Sequence, residues 1–194
     1  TATTEIYTLP LHDALPISYP DYRAGTELIA FLLGPATVAF AVPLHRSVEE
    51  LRGLVAPILI ALTLGVFVAV LSGYGLVALL GGEDDLAASM AAKTATTPVA
   101  IAVAEVIGGI GPLSAGFAVV AGGLGAVARP AVLDLLRIRD PRARGVAMGT
   151  VSHGIGTSRS LADGEVQGAV AGLSTGLAAL AVSLIAPLVV GWFG

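Results

Sequence analysis

The sequence predicts an all-α, polytopic helical membrane protein with broken or re-entrant helices arranged as an inverted repeat, and three observations carry that expectation. Of its 194 residues, 55% are hydrophobic and 12% charged, with a mean hydropathy of +0.88 that lies well above the range of water-soluble domains. The apolar residues fall in runs long enough to cross a bilayer. Some of these runs are interrupted by polar or Pro-bearing centres, and 25 glycines and 11 prolines punctuate the chain, as happens where spanning helices pack closely or break.

Residues 1–18, "TATTEIYTLPLHDALPIS", hold two prolines and show no helical period. They resemble translated sequencing-adapter text and are set apart from a transmembrane domain at 19–194. On that reading the authentic chain lacks its own beginning, and His12 and Asp13 are not site residues. Residues 26–44, "TELIAFLLGPATVAFAVPL", read as a span broken at Gly34-Pro35, where proline removes a backbone hydrogen bond. A basic connection, "HRSVEELRG", leads to residues 54–80, which are continuously apolar and exceed the roughly 20 residues that a spanning helix needs. The acidic "GGEDD" at 81–85 ends that helix in water.

Residues 86–108 are apolar at both ends and polar in the centre, with Lys93 and three threonines before Pro98. A long apolar run at 113–136 precedes "RIRDPRAR", a density of positive charge that marks a cytoplasmic side. Residues 145–161 contain "TVSHGIGTSRS", a polar island, and residues 166–193 form a last span that ends in Trp192 at an interface. If both basic stretches, 45–53 and 137–144, face the cytoplasm, an even number of crossings separates them. Residues 86–108 then enter and return as a hairpin, which a polar, proline-broken centre permits only where it is buried in protein or lines a cavity. The polar island is its counterpart from the other side, and carriers built this way bind substrate where two discontinuous segments meet. Two full but unwound crossings remain the alternative.

The candidate site follows from that pairing. Thr97 suits a helix cap and Pro98 the first helical position, so a half-helix beginning there aims its positive end inward. Gly154, Gly156, Thr157 and Ser158 suit an unwound turn whose free N–H groups, beside Arg159, favour an anion. Lys93 and Arg159 each cost about 3 kcal/mol at membrane depth. They are therefore employed on a ligand, paired structurally with Glu105 or Asp163, or reaching the headgroups. His153 either shuttles a proton or donates to backbone, and Glu105 either couples a proton or serves as a counter-ion. With Thr96 and Ser152, these residues make up the expected substrate site.

Other functions find little support. The sequence contains no cysteine and three histidines, so no metal centre, thiol chemistry or cofactor is expected. "GLGAVA" at 123–128 matches a relaxed dinucleotide fingerprint but lies inside an apolar span, and "TVSHG" is not a nucleophile elbow; no enzyme is expected. A net charge of -4 without a basic arm gives nucleic-acid binding no footing.

Taken together and in order, "GPATVAFAVPL", "KTATTPVAIAVAE", "GLGAV", "RIRDPRARGVAMGTVSHGIGTSRS" and "GEVQGA" resemble the LrgB/CidB family through most of residues 19–194. The family's Lys, Thr, Thr and Pro match Lys93, Thr96, Thr97 and Pro98; Ala95 stands where the family more often has valine. Members usually have further hydrophobic helices ahead of this region. The resemblance implies a multi-pass protein of the inner (plasma) membrane in one of two functional traditions. One is transport of a small monocarboxylate of the glycolate, glycerate or pyruvate class. The other is antiholin-like regulation of murein hydrolase activity and autolysis by oligomerisation. The partners it implies are the lipid bilayer, a small carboxylate, further copies of the chain and a small LrgA/CidA-type membrane protein.

Overall fold

The computed structural model describes residues 53–193 together with Leu28 and Phe31. The 1–18 segment lies outside the described residues, as does the expected break at Gly34-Pro35. The described residues contain six α-helices and no strand. The chain is an all-α membrane protein, and three of these helices are long and apolar enough to cross a bilayer.

Helix α1, Val55–Leu79, is apolar all round. Ile58, Leu62, Val66, Val70 and Tyr74, spaced at about one turn, face inward, while Ile60, Leu64, Val68 and Leu76 are exposed. Gly81 takes φ +74, and the Gly82 N–H bonds back to Val77 O at 2.9 Å, which closes the helix end. Helix α2, Asp84–Ala91, opens with two aspartates in its first turn, where the helix dipole favours negative charge. It tightens into a 3-10 turn, Ala92–Thr94; Ala95 and Thr96 are extended, and α3, Thr97–Val106, begins with Pro98 in its first turn. Helix α4 is Gly111–Leu135.

The 86–108 segment reverses direction. The Ile110 N–H, just past α3, donates to Ser89 Oγ in α2 at 2.7 Å, across 21 positions of sequence. A continuous crossing would hold these residues about 30 Å apart at 1.5 Å per residue. Ser89 Oγ in turn donates to Asp85 O one turn back in α2 at 2.7 Å, which orients its lone pairs toward the Ile110 N–H. Gly109 permits the closure, since a Cβ there would lie 2.7 Å from Ser89 N.

The polar island folds the same way. Helix α5, Pro141–Asp163, is capped by Asp140, whose side chain accepts from Arg142 N and Ala143 N. It is interrupted at His153, which takes φ 49 and ψ -138. Beyond the break the chain turns back: a Cβ on Gly156 would lie 2.5 Å from Met148 O, whereas an unbroken helix separates residues eight apart by about 12 Å. Both arms also lie against one stretch of α6, Glu165–Phe193. Gly145 of the first arm meets Gln167 O and Val170, Leu161 of the second meets Gly168, and Gly149 and Thr157 both meet Thr175.

Because the first hairpin closes at the end where α1 stops, α4 runs back from that end and the second hairpin starts at the opposite one. Helix plus hairpin occurs twice, in opposite senses. A core of small residues, among them Ala91, Ala92, Ala100, Ala104, Ala118 and Ala178, lets these elements approach closely.

Candidate functional site

The turning points of the two hairpins touch. His153 Nε2 lies 3.1 Å from Lys93 O; a carbonyl only accepts, so the neutral ring carries its hydrogen on Nε2. His153 is buried at 6% exposure, and its positive φ, costly for a residue with a Cβ, is accommodated by close packing around it. Gly122 of α4 is part of that packing: a Cβ there would stand 3.4 Å from the imidazole Cδ2 and 3.4 Å from Ser152 O.

Lys93 is half-buried in the 3-10 turn. Its Nζ donates to Ala69 O of α1 at 3.2 Å and lies against Gly73, where a side chain would occupy its place. Only one of its three donors is engaged by that bond. Beside it, Thr94 is fully buried and its hydroxyl has no hydrogen-bond partner. A buried hydroxyl without a partner costs on the order of 1–3 kcal/mol, and such atoms mark places where a ligand or water completes the bonding.

Two half-helices begin at this junction. Thr96 sits at the cap position of α3, one residue before Thr97, and makes no side-chain capping bond; Thr96 and Thr97 are half-buried and Pro98 is exposed. The second arm of α5 starts just after His153, so Gly154 and its successors present the free N–H groups of a helix start. Within that arm Thr157 is buried and bonds His153 O at 3.0 Å, while Ser158 is exposed and donates to Gly154 O at 3.0 Å.

A second cation stands at the junction, and it is Arg129. It projects from α4, half-buried, and its guanidinium Nη1 donates to the fully buried Ser152 Oγ. The buried positions Ala118, Gly122 and Gly125 precede it on one face of α4, and a side chain on Gly125 would collide with the guanidinium. Arg159 is placed elsewhere: its side chain is 55% exposed and its Nε lies 3.5 Å from Asp163, one turn away. Glu105 is exposed near the end of α3, against Gly111. Arg129 left a signal in the sequence as the single cation within the apolar run 113–136, four residues after a glycine.

This arrangement defines a class: a helical membrane protein in which two opposed hairpins bring their tips to one polar junction. The chain belongs to the LrgB-like family, which matches it over residues 2–192, the 1–18 segment included from its second residue. Over 191 residues it is 36% identical to the Bacillus subtilis (strain 168) protein YxaC, covering 98% of this chain and 83% of the relative. It is 34% identical to YwbG of the same strain over 176 residues, covering 91% of the chain and 78% of the relative. To the antiholin-like protein LrgB of Bacillus mycoides (strain KBAB4) it is 32% identical over 178 residues, covering 91% of the chain and 77% of the relative. No solved structure matches the chain.

Proposed function

We propose that this protein is a carrier for a small monocarboxylate of the glycolate, glycerate or pyruvate class, a multi-pass protein of the inner (plasma) membrane and not an enzyme. The observation that carries the reading is the contact of His153 with Lys93 O, which brings the starts of two half-helices together, with Arg129 bonded to the neighbouring Ser152. Helix N-termini and cations favour an anion, and carriers with opposed hairpins hold their substrate where the hairpins meet. In this reading a carboxylate of two to three carbons accepts from the spare donors of Lys93 and Arg129 and from the N–H groups after His153. In this reading Arg129 takes the role that Arg159 was expected to fill, and His153 would carry a coupled proton. Helices α1, α4 and α6 are the crossings in this reading, with the arginine-bearing 137–144 stretch in the cytoplasm.

The test is uptake of labelled glycolate and pyruvate by liposomes containing the purified protein. Saturable uptake above that of empty vesicles supports the carrier reading, and uptake equal to that of empty vesicles rejects it.

A second reading draws on the printed name of the Bacillus mycoides relative, antiholin-like protein, and on the outer face of α6, where Gly176 has open space beside it. It is regulation of murein hydrolase activity by oligomerisation, alone or with a small LrgA/CidA-type partner. In that case substitutions at Gly172 or Gly176 alter autolysis more than Lys93→Gln does; the carrier reading demands the reverse order in uptake.

A further inference from the structure

Inside the second hairpin, five oxygens crowd into one buried place. Thr157 Oγ1 lies 2.9 Å from Thr175 Oγ1 and 3.0 Å from His153 O; Thr175 Oγ1 lies 3.1 Å from Gly149 O and 2.9 Å from Ala171 O. Thr157 is fully buried and Thr175 is 9% exposed. Two hydroxyls bring two hydrogens to these four close approaches, so at most two are full hydrogen bonds and the others either share a hydrogen or set lone pair against lone pair. In a buried place that repulsion goes unscreened, and a positive charge among the oxygens relieves it.

The chemistry of the cluster selects the charge. Three carbonyls and two hydroxyls are hard, neutral ligands with no carboxylate among them, which suits a hard monovalent cation better than calcium or magnesium, whose sites rely on carboxylates. The backbone points the same way. Gly149 lies in the last turn of the first arm, where the dipole is negative. Half-helix C-terminal ends and unwound carbonyls hold sodium in this manner in carriers generally.

We propose that Thr157 Oγ1, Thr175 Oγ1 and the carbonyl oxygens of Gly149, His153 and Ala171 form a binding site for a dehydrated sodium ion. His153 links this site to the hairpin junction: its carbonyl belongs to the oxygen cluster and its ring to the contact with Lys93. Cation and anion would then share one hairpin, which ties their movements together. Only this coupling rests on the carrier reading; cation binding stands apart from it.

The test uses the full chain in detergent, with sodium chloride replaced stepwise by choline chloride at constant ionic strength and thermal unfolding followed at each step. A ligand that binds the folded state alone raises the midpoint, and the rise grows with ligand concentration above the dissociation constant. The proposal requires a sodium-dependent rise in the wild type that exceeds the rise in potassium. It also requires loss of the rise in Thr175→Val and its retention in Thr175→Ser. Where Thr175→Val does not fold, Thr157→Val takes its place, with loss of the rise expected, and equilibrium binding of radioactive sodium to the wild type must be saturable. Equal midpoints in sodium and choline, or a folded Thr175→Val protein with the full sodium response, would overturn the proposal. Sodium binding without carboxylate uptake rejects the carrier and leaves the cation site standing; carboxylate uptake without sodium binding does the opposite.

Discussion

His153 Nε2 donates to Lys93 O at 3.1 Å, and this bond joins residues 60 positions apart at the turning points of two opposed hairpins. The junction places a backbone carbonyl, an imidazole, an ammonium and, through Ser152, a guanidinium within one region of the fold.

The two cations near the junction and the one outside it should differ in effect. A hydrogen bond to a charged group contributes on the order of 1.5–3 kcal/mol, so Lys93→Gln and Arg129→Gln should each lower carboxylate uptake by about tenfold or more. Arg159→Gln removes only an exposed pair with Asp163 and should change uptake by less than about twofold. Liposome uptake at matched protein incorporation checks all three.

The second hairpin depends on Gly156. A valine there would place its Cβ about 2.5 Å from Met148 O, where backbone has to move. Overpacking of this kind costs about 1–3 kcal/mol or more. Gly156→Val should therefore lower the thermal midpoint by several degrees, while Gly176→Val, with nothing within 4 Å, should leave it near the wild-type value. Thermal unfolding in detergent distinguishes the two.

In the carrier reading the opposed hairpins have their outer ends on opposite faces of the membrane. The chain has no cysteine, so single introduced thiols report cleanly. Glu83→Cys, at the start of the first hairpin, and Arg139→Cys, before the second, are both at exposed positions. An impermeant thiol reagent applied to intact cells should label the former and leave the latter untouched until the membrane is opened.

Asp140 caps the second hairpin outside the spans. Hydrogen bonding from the Arg142 side chain, then from the Arg142 N–H, holds its carboxyl down to about 2 from 3.8. A lowered folded value means that its contribution is present above about pH 4, where the unfolded carboxyl is ionised, and fades as pH falls through about 2. The group is exposed, so salt screens the effect. Removing the cap with Asp140→Ala should cost about 1 kcal/mol and speed tryptic cleavage at Arg142 and Arg144. Carboxyl carbon shifts should show the low titration in the wild type and a partly raised one in Arg142→Ala, where the backbone N–H groups still donate to the carboxylate.

Much of this fold could be read from the residues. Run length placed α1, α4 and α6, the Lys93 to Pro98 centre placed the first break, and of the two readings left open for 86–108, a returning hairpin or an unwound crossing, the Ser89 contact with Ile110 fits the hairpin. The details of the junction were harder to read because they depend on where each turn falls. With the second turn at His153, Arg159 sits six residues along a returning arm and faces outward, although it belongs to the same polar island. Arg129 lies in an apolar run with no polar neighbours, and only the face it shares with Gly122 and Gly125 brings it to Ser152. The oxygen cluster was out of reach as well, since Thr175 lies in an apolar helix and meets Thr157 only through the fold.

The most direct measurement of the central claim is protection of a thiol at the junction. Thr97→Cys puts a half-exposed thiol at the start of α3, and its reaction with a small, water-borne thiol reagent can be timed in proteoliposomes with and without pyruvate or glycolate. The structure predicts that either carboxylate slows labelling several-fold, that an uncharged analogue at the same concentration does not, and that Lys93→Gln abolishes the protection. A labelling rate that no carboxylate changes would contradict an anion site between the hairpin tips.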